Sequence, residues 1–264
     1  MLEDEVFNMA NADRTPLRIA VISTPRSGNT WLRLMLGRFY DAAQIAVHEP
    51  WDINWNMLPE DNLILQLHWH RTEEFVEVLG RHNFRVVVLV RNPLDLLISI
   101  LHFSQNESET KNWLKGENGG EETLIGRTPA DPEFAAYAKS PRASSLFSVS
   151  YEWAQAPDAK VIRYEEMVAK PEQTLNELFR EFGWPDKDVG AIIREHSIEN
   201  LRPQSTNQHF WKGQPGLWKR LISRELADDI ANIHSVVFAG LNYSIDGSNE
   251  LSLEDVGKNW EALG

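Results

Sequence analysis

Apolar residues in the first half of the chain alternate between short continuous runs and positions at helical spacing. Arg18 to Ser23 is a short apolar run that predicts a strand, and apolar residues recur at helical spacing from Thr30 to Phe39. A second strand is predicted from Leu63 to Trp69, and a third, apolar on both faces, from Arg85 to Val90. Strand, turn and helix therefore follow one another along this half.

The second half repeats the alternation. Pro93 marks the start of a predicted helix after the third strand. A fourth strand is predicted from Lys160 to Tyr164, and the next predicted helix ends at Gly183. Strands that alternate with helices favour an α/β fold with an open, mostly parallel sheet and helices on both faces. Ligands of such sheets bind at the carboxyl ends of the strands, so we expect the chemistry in the turns that follow them.

The length and charge of the chain limit its organisation and its partners. With 264 residues, of which 42% are hydrophobic, we expect a single domain over residues 1–264. The segment 106–140 is rich in Glu, Gly, Lys and Pro and weakly periodic, which predicts a surface insertion or lid. A net charge of -13 argues against a nucleic-acid partner, so a bound anion must meet a local positive pocket.

The absence of cysteine excludes disulfides, thiolate nucleophiles and cysteine-ligated metal sites. The first twenty residues include the acids Glu3, Asp4 and Glu5 and no apolar run, unlike a signal peptide. No stretch of the sequence approaches the roughly 18 consecutive apolar residues of a membrane span. We therefore expect a cytoplasmic protein with no membrane span.

The turn after the first strand, from Ser23 to Thr30, occupies the place of a P-loop. Successive backbone N–H groups and a helix N-terminus attract phosphate oxygens there. Nucleoside triphosphatases need a Gly where this chain has Ser23 and a Lys where it has Asn29. The cation is Arg26 instead, early in the loop, which suits a phosphosulfate better than a magnesium triphosphate. An ordinary capped βα turn is the alternative interpretation.

The sequence Thr-Pro-Arg-Ser-Gly-Asn-Thr-Trp, from Thr24 to Trp31, resembles the 5′-phosphosulfate loop of the cytosolic-type sulfotransferase family, commonly Tyr-Pro-Lys-Ser-Gly-Thr-Thr-Trp. The resemblance implies the P-loop-like sulfotransferase fold, the donor 3′-phosphoadenosine 5′-phosphosulfate (PAPS), the product 3′,5′-adenosine bisphosphate (PAP) and no metal. It also implies that Trp31 packs against adenine. The residues that it implies hold the 5′-phosphosulfate are Arg26, Ser27, Gly28, Asn29 and Thr30.

A second predicted anion site follows the third strand. Arg91 and Ser99, eight positions apart, resemble the family's motif for the 3′-phosphate. Arg91 leaves the strand end as a fork-shaped donor, and Ser99 lies about two turns into the helix. The alternative is an Arg91–Asp95 ion pair with Ser99 facing solvent. By the same resemblance Tyr164 lies near the nucleotide, and Ser197 falls near a position that touches adenine.

The segment Phe210 to Lys219 resembles the family's Gly-rich loop, which folds over the 3′-phosphate. Lys212 and Gly213 match this loop and are assigned to donor binding. Trp211 stands where the family usually has Arg, and Leu217 stands where it usually has Asp. The loss of one cation implies that this loop binds the donor more weakly or with a different geometry.

Sulfuryl transfer to a hydroxyl needs a base that takes the acceptor proton. The end of the second strand resembles the family's Lys-Thr-His, which makes His68 the general base and puts Gln66 in place of the Lys. Strand alternation places His70 on the same face, so His70 is the alternative base. A metal site of His68 and His70, with His48 or Glu49, is a further alternative.

These assignments predict an enzyme of in-line sulfuryl transfer, with Arg26 stabilising charge on the transferred group and on the leaving phosphate. The acceptor is a hydroxyl or amine of a small molecule or carbohydrate. Its predicted stacking surface comprises Trp51, Trp55, Trp69 and Trp113. The alternatives are a P-loop kinase or nucleotidase using Mg-ATP and a non-catalytic nucleotide-binding protein. Ser223 and Arg224 replace Thr-Val of the family's dimerisation element, which leaves the oligomeric state open.

Overall fold

The computed structural model describes residues 15–105, 110, 113–114, 120–204, 210–247 and 249–263. Five strands form one sheet in the order β2-β3-β1-β4-β5, and every neighbouring pair is parallel. The strands are β1 Arg18–Ile22, β2 Ala43–Ala46, β3 Leu63–Leu67, β4 Arg85–Val90 and β5 Lys160–Arg163. The predicted open α/β fold with a parallel sheet is confirmed.

Helices connect the strands and continue beyond the sheet. In the first two thirds of the chain they are α1 Asn29–Phe39, α2 Glu73–Arg81, α3 Pro93–Ser104, α4 Pro132–Ala138, α5 Pro141–Ala154 and α6 Tyr164–Ala169. Further along they are α7 Pro171–Phe182, α8 Val189–Glu195, α9 Ile198–Leu201, α10 Arg224–Ile233, α11 Ser235–Gly240 and α12 Leu253–Glu261. Short 3-10 turns occupy Pro50–Asp52, Trp55–Met57, Glu121–Leu124, Arg202–Gln204 and Leu217–Arg220. Among the described residues, no helix is long and apolar enough to cross a membrane.

The two faces of the sheet carry separate cores, because alternate residues of a strand point to opposite faces. Ala20 and Ile22 of β1 lie in the larger core, which α3 and α5 cover. Ile19 and Val21 lie in the smaller core, which α1 and α7 cover. The predicted helices on both faces are therefore confirmed, and in the centre β1 is fully buried from Ile19 to Ile22.

One strand was not predicted, and some strand ends differ from the prediction. The edge strand β2 was not predicted, because Ala43–Ala46 is short and mostly exposed and so carries no clear apolar pattern. The strand β3 ends at Leu67 rather than Trp69, since Leu67 pairs with Ile22 and β1 ends there. Tyr164 begins α6 instead of ending the fourth strand.

Part of the segment predicted as a surface insertion or lid lies in the core. Phe134 is fully buried and Tyr137 is almost so, both in the larger core. The buried carboxylate of Glu121 accepts hydrogen bonds from Tyr137 Oη at 2.8 Å and from Arg142 Nε at 2.9 Å. The segment 120–138 therefore contributes buried side chains to the core, although residues 122–123 and 125–127 are exposed, whereas 106–109, 111–112 and 115–119 lie outside the described residues.

Candidate active site

The sheet opens at the carboxyl ends of its two central strands. The ladder between β1 and β4 extends only to Val21 and Val87. Beyond it, Ser23 Oγ accepts a hydrogen bond from the Leu89 N–H at 2.6 Å, and Ser150 Oγ donates to the Leu89 carbonyl at 2.9 Å. Hydroxyl groups thus replace the ladder and satisfy the backbone, which leaves a crevice between the strands.

A cavity of about 530 Å³ lies at this edge of the sheet. It collects most of the residues that the sequence assigned to the site, although they come from widely separated segments. The predicted residues that line it are Arg26, Gly28, Asn29, Thr30, Trp31, His68, Arg91, Ser99, Tyr164, Ser197, Lys212 and Gly213. Ser27 is fully buried within the same loop, and its backbone N–H donates to the Thr24 carbonyl at 3.3 Å.

The loop between β1 and α1 carries the helix N-terminus to the cavity. Arg26 and Gly28 both adopt positive φ, 71° and 98° respectively, which turns the chain sharply before α1 begins at Asn29. The Asn29 amide donates to the Thr24 carbonyl at 3.2 Å and so closes the loop. The first N–H groups of a helix have no partner within it, so this terminus provides donors for an anion.

Gly28 is required by both its conformation and its surroundings. A Cβ at this position would lie 2.8 Å from Cδ2 of Tyr164. We expect Gly28→Ala to lower the free energy of unfolding by about 1–3 kcal/mol, measured by denaturant titration. Gly80→Ala is the control, because no heavy atom lies within 4 Å of its Cβ, and it should not destabilise the chain. Equal losses in both variants would contradict the close approach to Tyr164.

The two predicted anion sites are in direct contact. The Arg26 guanidinium lies 4.2 Å from the ring centroid of Phe103, and its Nε is 3.3 Å from Ser99 Oγ. Arg91 Nη1 donates to the Arg26 carbonyl at 2.9 Å, and its guanidinium lies 4.5 Å from the ring centroid of Tyr164. Both cations therefore rest on aromatic faces at the same end of the cavity, where they favour an anion.

Arg91 is held without a carboxylate. It makes no ion pair with any carboxylate among the described residues, so the alternative Arg91–Asp95 pair is wrong. Its buried Nε has no hydrogen-bond partner in the part of the chain that the structure describes.

His68 follows the end of β3 and is almost fully buried at the cavity wall. Its Nδ1 lies 2.7 Å from the Ser23 carbonyl oxygen. A carbonyl only accepts, so Nδ1 carries the proton and the lone pair is on Nε2. Burial lowers the pKa of His68 to about 4. The imidazole is therefore neutral at physiological pH and able to take a proton through Nε2.

His70 lies in a different environment and is not part of the cavity wall. Its Nδ1 is 3.4 Å from a carboxylate oxygen of Glu152, on α5. The prediction that His68 and His70 share a face is wrong, because β3 has ended at Leu67 and strand alternation no longer applies. His48 does lie close to His68, with ring centroids 6.0 Å apart. Among the described residues there is no cluster of three or more metal-ligating side chains.

Residues 16–241 match the sulfotransferase domain family. The chain belongs to this family. No relative was found among curated proteins. The mouse sulfotransferase SULT7A1, solved in complex with PAP, has a similar structure with a TM-score of 0.61, 19% identity, and coverage of 88% of this chain and 90% of that one.

Retinol dehydratase has the same fold in two further solved structures. The complex with androsterone and the inactive cofactor PAP gives a TM-score of 0.58 at 13% identity, covering 88% of this chain and 84% of that one. The complex with retinol and PAP gives 0.56 at 13% identity, covering 89% and 86%. At these identities the likeness establishes the P-loop-like sulfotransferase fold.

The Gly-rich loop of this sulfotransferase is held in place by Asp95, which the sequence analysis considered only as an ion-pair partner of Arg91. Asp95 is buried, and its carboxylate accepts the N–H groups of Gly216 at 2.6 Å and Trp218 at 3.0 Å. Tyr164 Oη donates to the Gly213 carbonyl at 3.1 Å from the other side. Burial raises the pKa of the Asp95 carboxyl. The motif that carries Arg91 thus also holds the loop that carries Lys212.

Asp95→Asn should loosen this loop. An amide keeps one acceptor oxygen but places an NH₂ group against the second backbone N–H, so we expect a loss of about 1–3 kcal/mol. Part of that loss should appear as roughly tenfold weaker PAP binding in calorimetry. The control is Asp228→Asn, since Asp228 forms only an exposed pair with Arg224. Lower stability with unchanged PAP affinity would contradict a role in shaping the loop.

Trp211 does not replace the charge of the usual Arg. Its ring stacks on His102, with centroids 4.0 Å apart and planes 12° apart. Burial, together with the charges of Arg26 and Lys212, lowers the pKa of His102 to about 4. The stack is therefore neutral at physiological pH, and the positive charge at this end of the cavity comes from Arg26, Arg91 and Lys212.

The tryptophans predicted to stack on an acceptor do not form one surface. Trp113 lines the cavity and stacks on Phe103, with ring centroids 5.6 Å apart and planes 8° apart. Trp51 contacts Trp69 edge to face at 4.4 Å, away from the cavity lining. Trp55 packs against the larger core, with its ring near those of Phe75 and Phe84. Of this group, Trp113 alone is among the residues that line the described cavity.

Proposed function

We propose that this sulfotransferase moves the sulfuryl group of PAPS to a hydroxyl or amine of a small-molecule or carbohydrate acceptor, with His68 as general base. The observation that carries the proposal is the single cavity that unites the phosphate loop, the Arg91 and Ser99 pair and His68. A triphosphate enzyme has no use for the second anion site. The PAP named in the solved structures of similar fold supports the same donor.

The donor is assigned by the chemistry of the cavity wall. The N-terminus of α1 and Arg26 suit the 5′-phosphosulfate. The guanidinium of Arg91 and the hydroxyl of Ser99 suit the 3′-phosphate, since both residues line the cavity. Trp31 and Ser197 are assigned to adenine. Lys212 and Gly213 belong to the Gly-rich loop and are assigned to the 3′-phosphate.

The proposed reaction needs one proton acceptor and a set of fixed positive groups. His68 Nε2 takes the proton of the acceptor hydroxyl, and the acceptor oxygen forms a bond to sulfur. The bond between sulfur and the bridging oxygen of the 5′-phosphate breaks, and the electron pair leaves with PAP. Arg26 and the helix N-terminus stabilise the negative charge that grows on the leaving phosphate.

The apolar part of the cavity supports a small acceptor with a ring. Phe103, Trp113 and Trp211 line this part, and Phe103 also carries the Arg26 guanidinium on its ring face. Aromatic faces of this kind pack against flat apolar rings and leave the hydroxyl to polar neighbours. Retinol and androsterone are the ring compounds named in the retinol dehydratase structures.

Calorimetry in the presence of a metal chelator tests the donor assignment. We expect PAP to bind without any metal and Mg-ATP to bind weakly or not at all. Magnesium-dependent ATP binding in preference to PAP would support the kinase or nucleotidase alternative instead.

A screen of phenols, sterols, amines and glycans for PAPS-dependent sulfation then tests turnover. PAP binding with no turnover on any acceptor class would leave a nucleotide-binding protein.

A further inference from the structure

A second cavity, also of about 530 Å³, meets the first one at the proposed base. The two cavities share Thr30, His48, Gln66 and His68 in their walls. The second cavity extends from there along α1 and past the end of β2. A molecule whose hydroxyl reaches His68 can therefore extend into this second space.

Among the described residues that line the second cavity, Arg33 is the only lysine or arginine. Its Nε donates to Gln66 Oε1 at 2.9 Å, and its Nη1 donates to Gln44 Oε1 at 2.6 Å. Both acceptors are neutral amides, so they orient the guanidinium without neutralising its charge. Arg33 forms no ion pair with any carboxylate that the structure describes.

The guanidinium keeps binding capacity in this position. It has five N–H donors, and the two amide contacts use two of them. Burial lowers the pKa of Arg33 from its ordinary value, which is the effect of a charge that has lost water without gaining a countercharge. An arginine side chain is nevertheless protonated at neutral pH. A fixed, partly desolvated cation in a cleft favours an anionic ligand.

The contact with Arg33 also fixes the orientation of Gln66. A guanidinium only donates, so the amide oxygen of Gln66 faces Arg33 and its NH₂ group points the other way. Gln66 lines both cavities beside His68. Arg33 therefore supplies positive charge next to the position where the resemblance to the family places a Lys and this chain has a neutral amide.

We propose that Arg33 binds a carboxylate of the acceptor, and that the acceptors of this sulfotransferase are hydroxyl compounds that carry a carboxylate. The hydroxyl lies at His68 and the carboxylate in the second cavity. The inference rests on the proposed function, because it concerns the acceptor of that reaction.

The test compares two probes that differ only in charge. Calorimetry on the PAP-saturated full chain measures the binding of 3-(4-hydroxyphenyl)propanoate and of its primary amide. We expect the carboxylate to bind roughly tenfold more tightly than the amide, as one charge-assisted hydrogen-bonded contact allows. Arg33→Met should bring the ratio of the two dissociation constants close to one, and Arg33→Lys should restore part of it.

Arg38→Met is the matched control, since Arg38 lies on the same helix and pairs on the surface with Glu195 at 3.7 Å. This variant should keep the tenfold preference. A ratio near one in the wild-type chain, no binding of the carboxylate probe, or an unchanged ratio in Arg33→Met would overturn the inference while PAP still binds. Loss of PAP affinity in Arg33→Met would also overturn it, by assigning Arg33 to the donor. A wild-type chain that does not bind PAP would overturn the proposed function itself.

Discussion

Replacement of His68 by alanine is expected to lower kcat by roughly two to four orders of magnitude, which is the contribution of a positioned general base. PAP affinity should change little, because the proposed donor contacts lie on the phosphate loop and on the Arg91 motif. Steady-state sulfation rates and calorimetry with PAP measure the two quantities on the same preparation. His70→Ala is the control and should keep most of the activity, since His70 lies outside the cavity wall.

The pH dependence of kcat/KM gives an independent check of the same residue. The pKa of His68 is lowered to about 4, so the imidazole is neutral and competent as a base at every pH well above that value. As the pH falls toward 4, protonation removes the lone pair and the rate should decline. A decline centred near 6.5, the value of an unperturbed histidine, would contradict a buried base at this position.

The second large effect is expected at Arg91. Arg91→Met should weaken PAP binding roughly 30-fold or more, because truncating a buried charged hydrogen-bond donor costs about 2–5 kcal/mol. The affinity for 5′-AMP should fall much less, because that nucleotide lacks the 3′-phosphate. Calorimetry with both nucleotides therefore reports the difference that Arg91 makes.

Arg85→Met is the control for this variant. Arg85 begins the same strand at its opposite end, where it donates to the Glu181 carbonyl and lies on the ring of Phe182. It should leave both affinities unchanged. Equal losses for PAP and 5′-AMP in Arg91→Met would show that Arg91 supports the phosphate loop, through its bond to the Arg26 carbonyl, rather than the 3′-phosphate.

Features set by local sequence could be predicted well. The strand β4 is apolar on both faces, and Arg91 and Ser99 are separated by eight positions on a strand end and the helix that follows. Such spacing survives any arrangement of the rest of the chain, so both residues reach the cavity as expected. Gly28 likewise indicates a turn in the sequence, and the structure has a turn there in which Gly28 adopts a positive φ.

Features set by tertiary pairing could not be predicted. The alternation from His68 to His70 fails because β3 ends where its neighbour β1 ends, which the sequence of β3 does not indicate. Asp95 has a suitable partner four positions away in Arg91, yet it bonds the backbone more than a hundred residues further along. Contacts over such sequence distances depend on the packed fold rather than on local pattern.

The position of β1 between β3 and β4 separates the strand that leads to the proposed base from the strand that leads to the proposed 3′-phosphate site. His68 follows β3 and Arg91 follows β4, and these two strands lie two strand spacings apart, about 10 Å, where both pair with β1. Backbone hydrogen bonds join β1 to β3 along its whole length and to β4 as far as Val21 and Val87, which maintains the spacing of these strands. In the proposed reaction the sheet would therefore set the nucleotide length that fits, whereas the choice of acceptor would depend on side chains that can be exchanged one at a time.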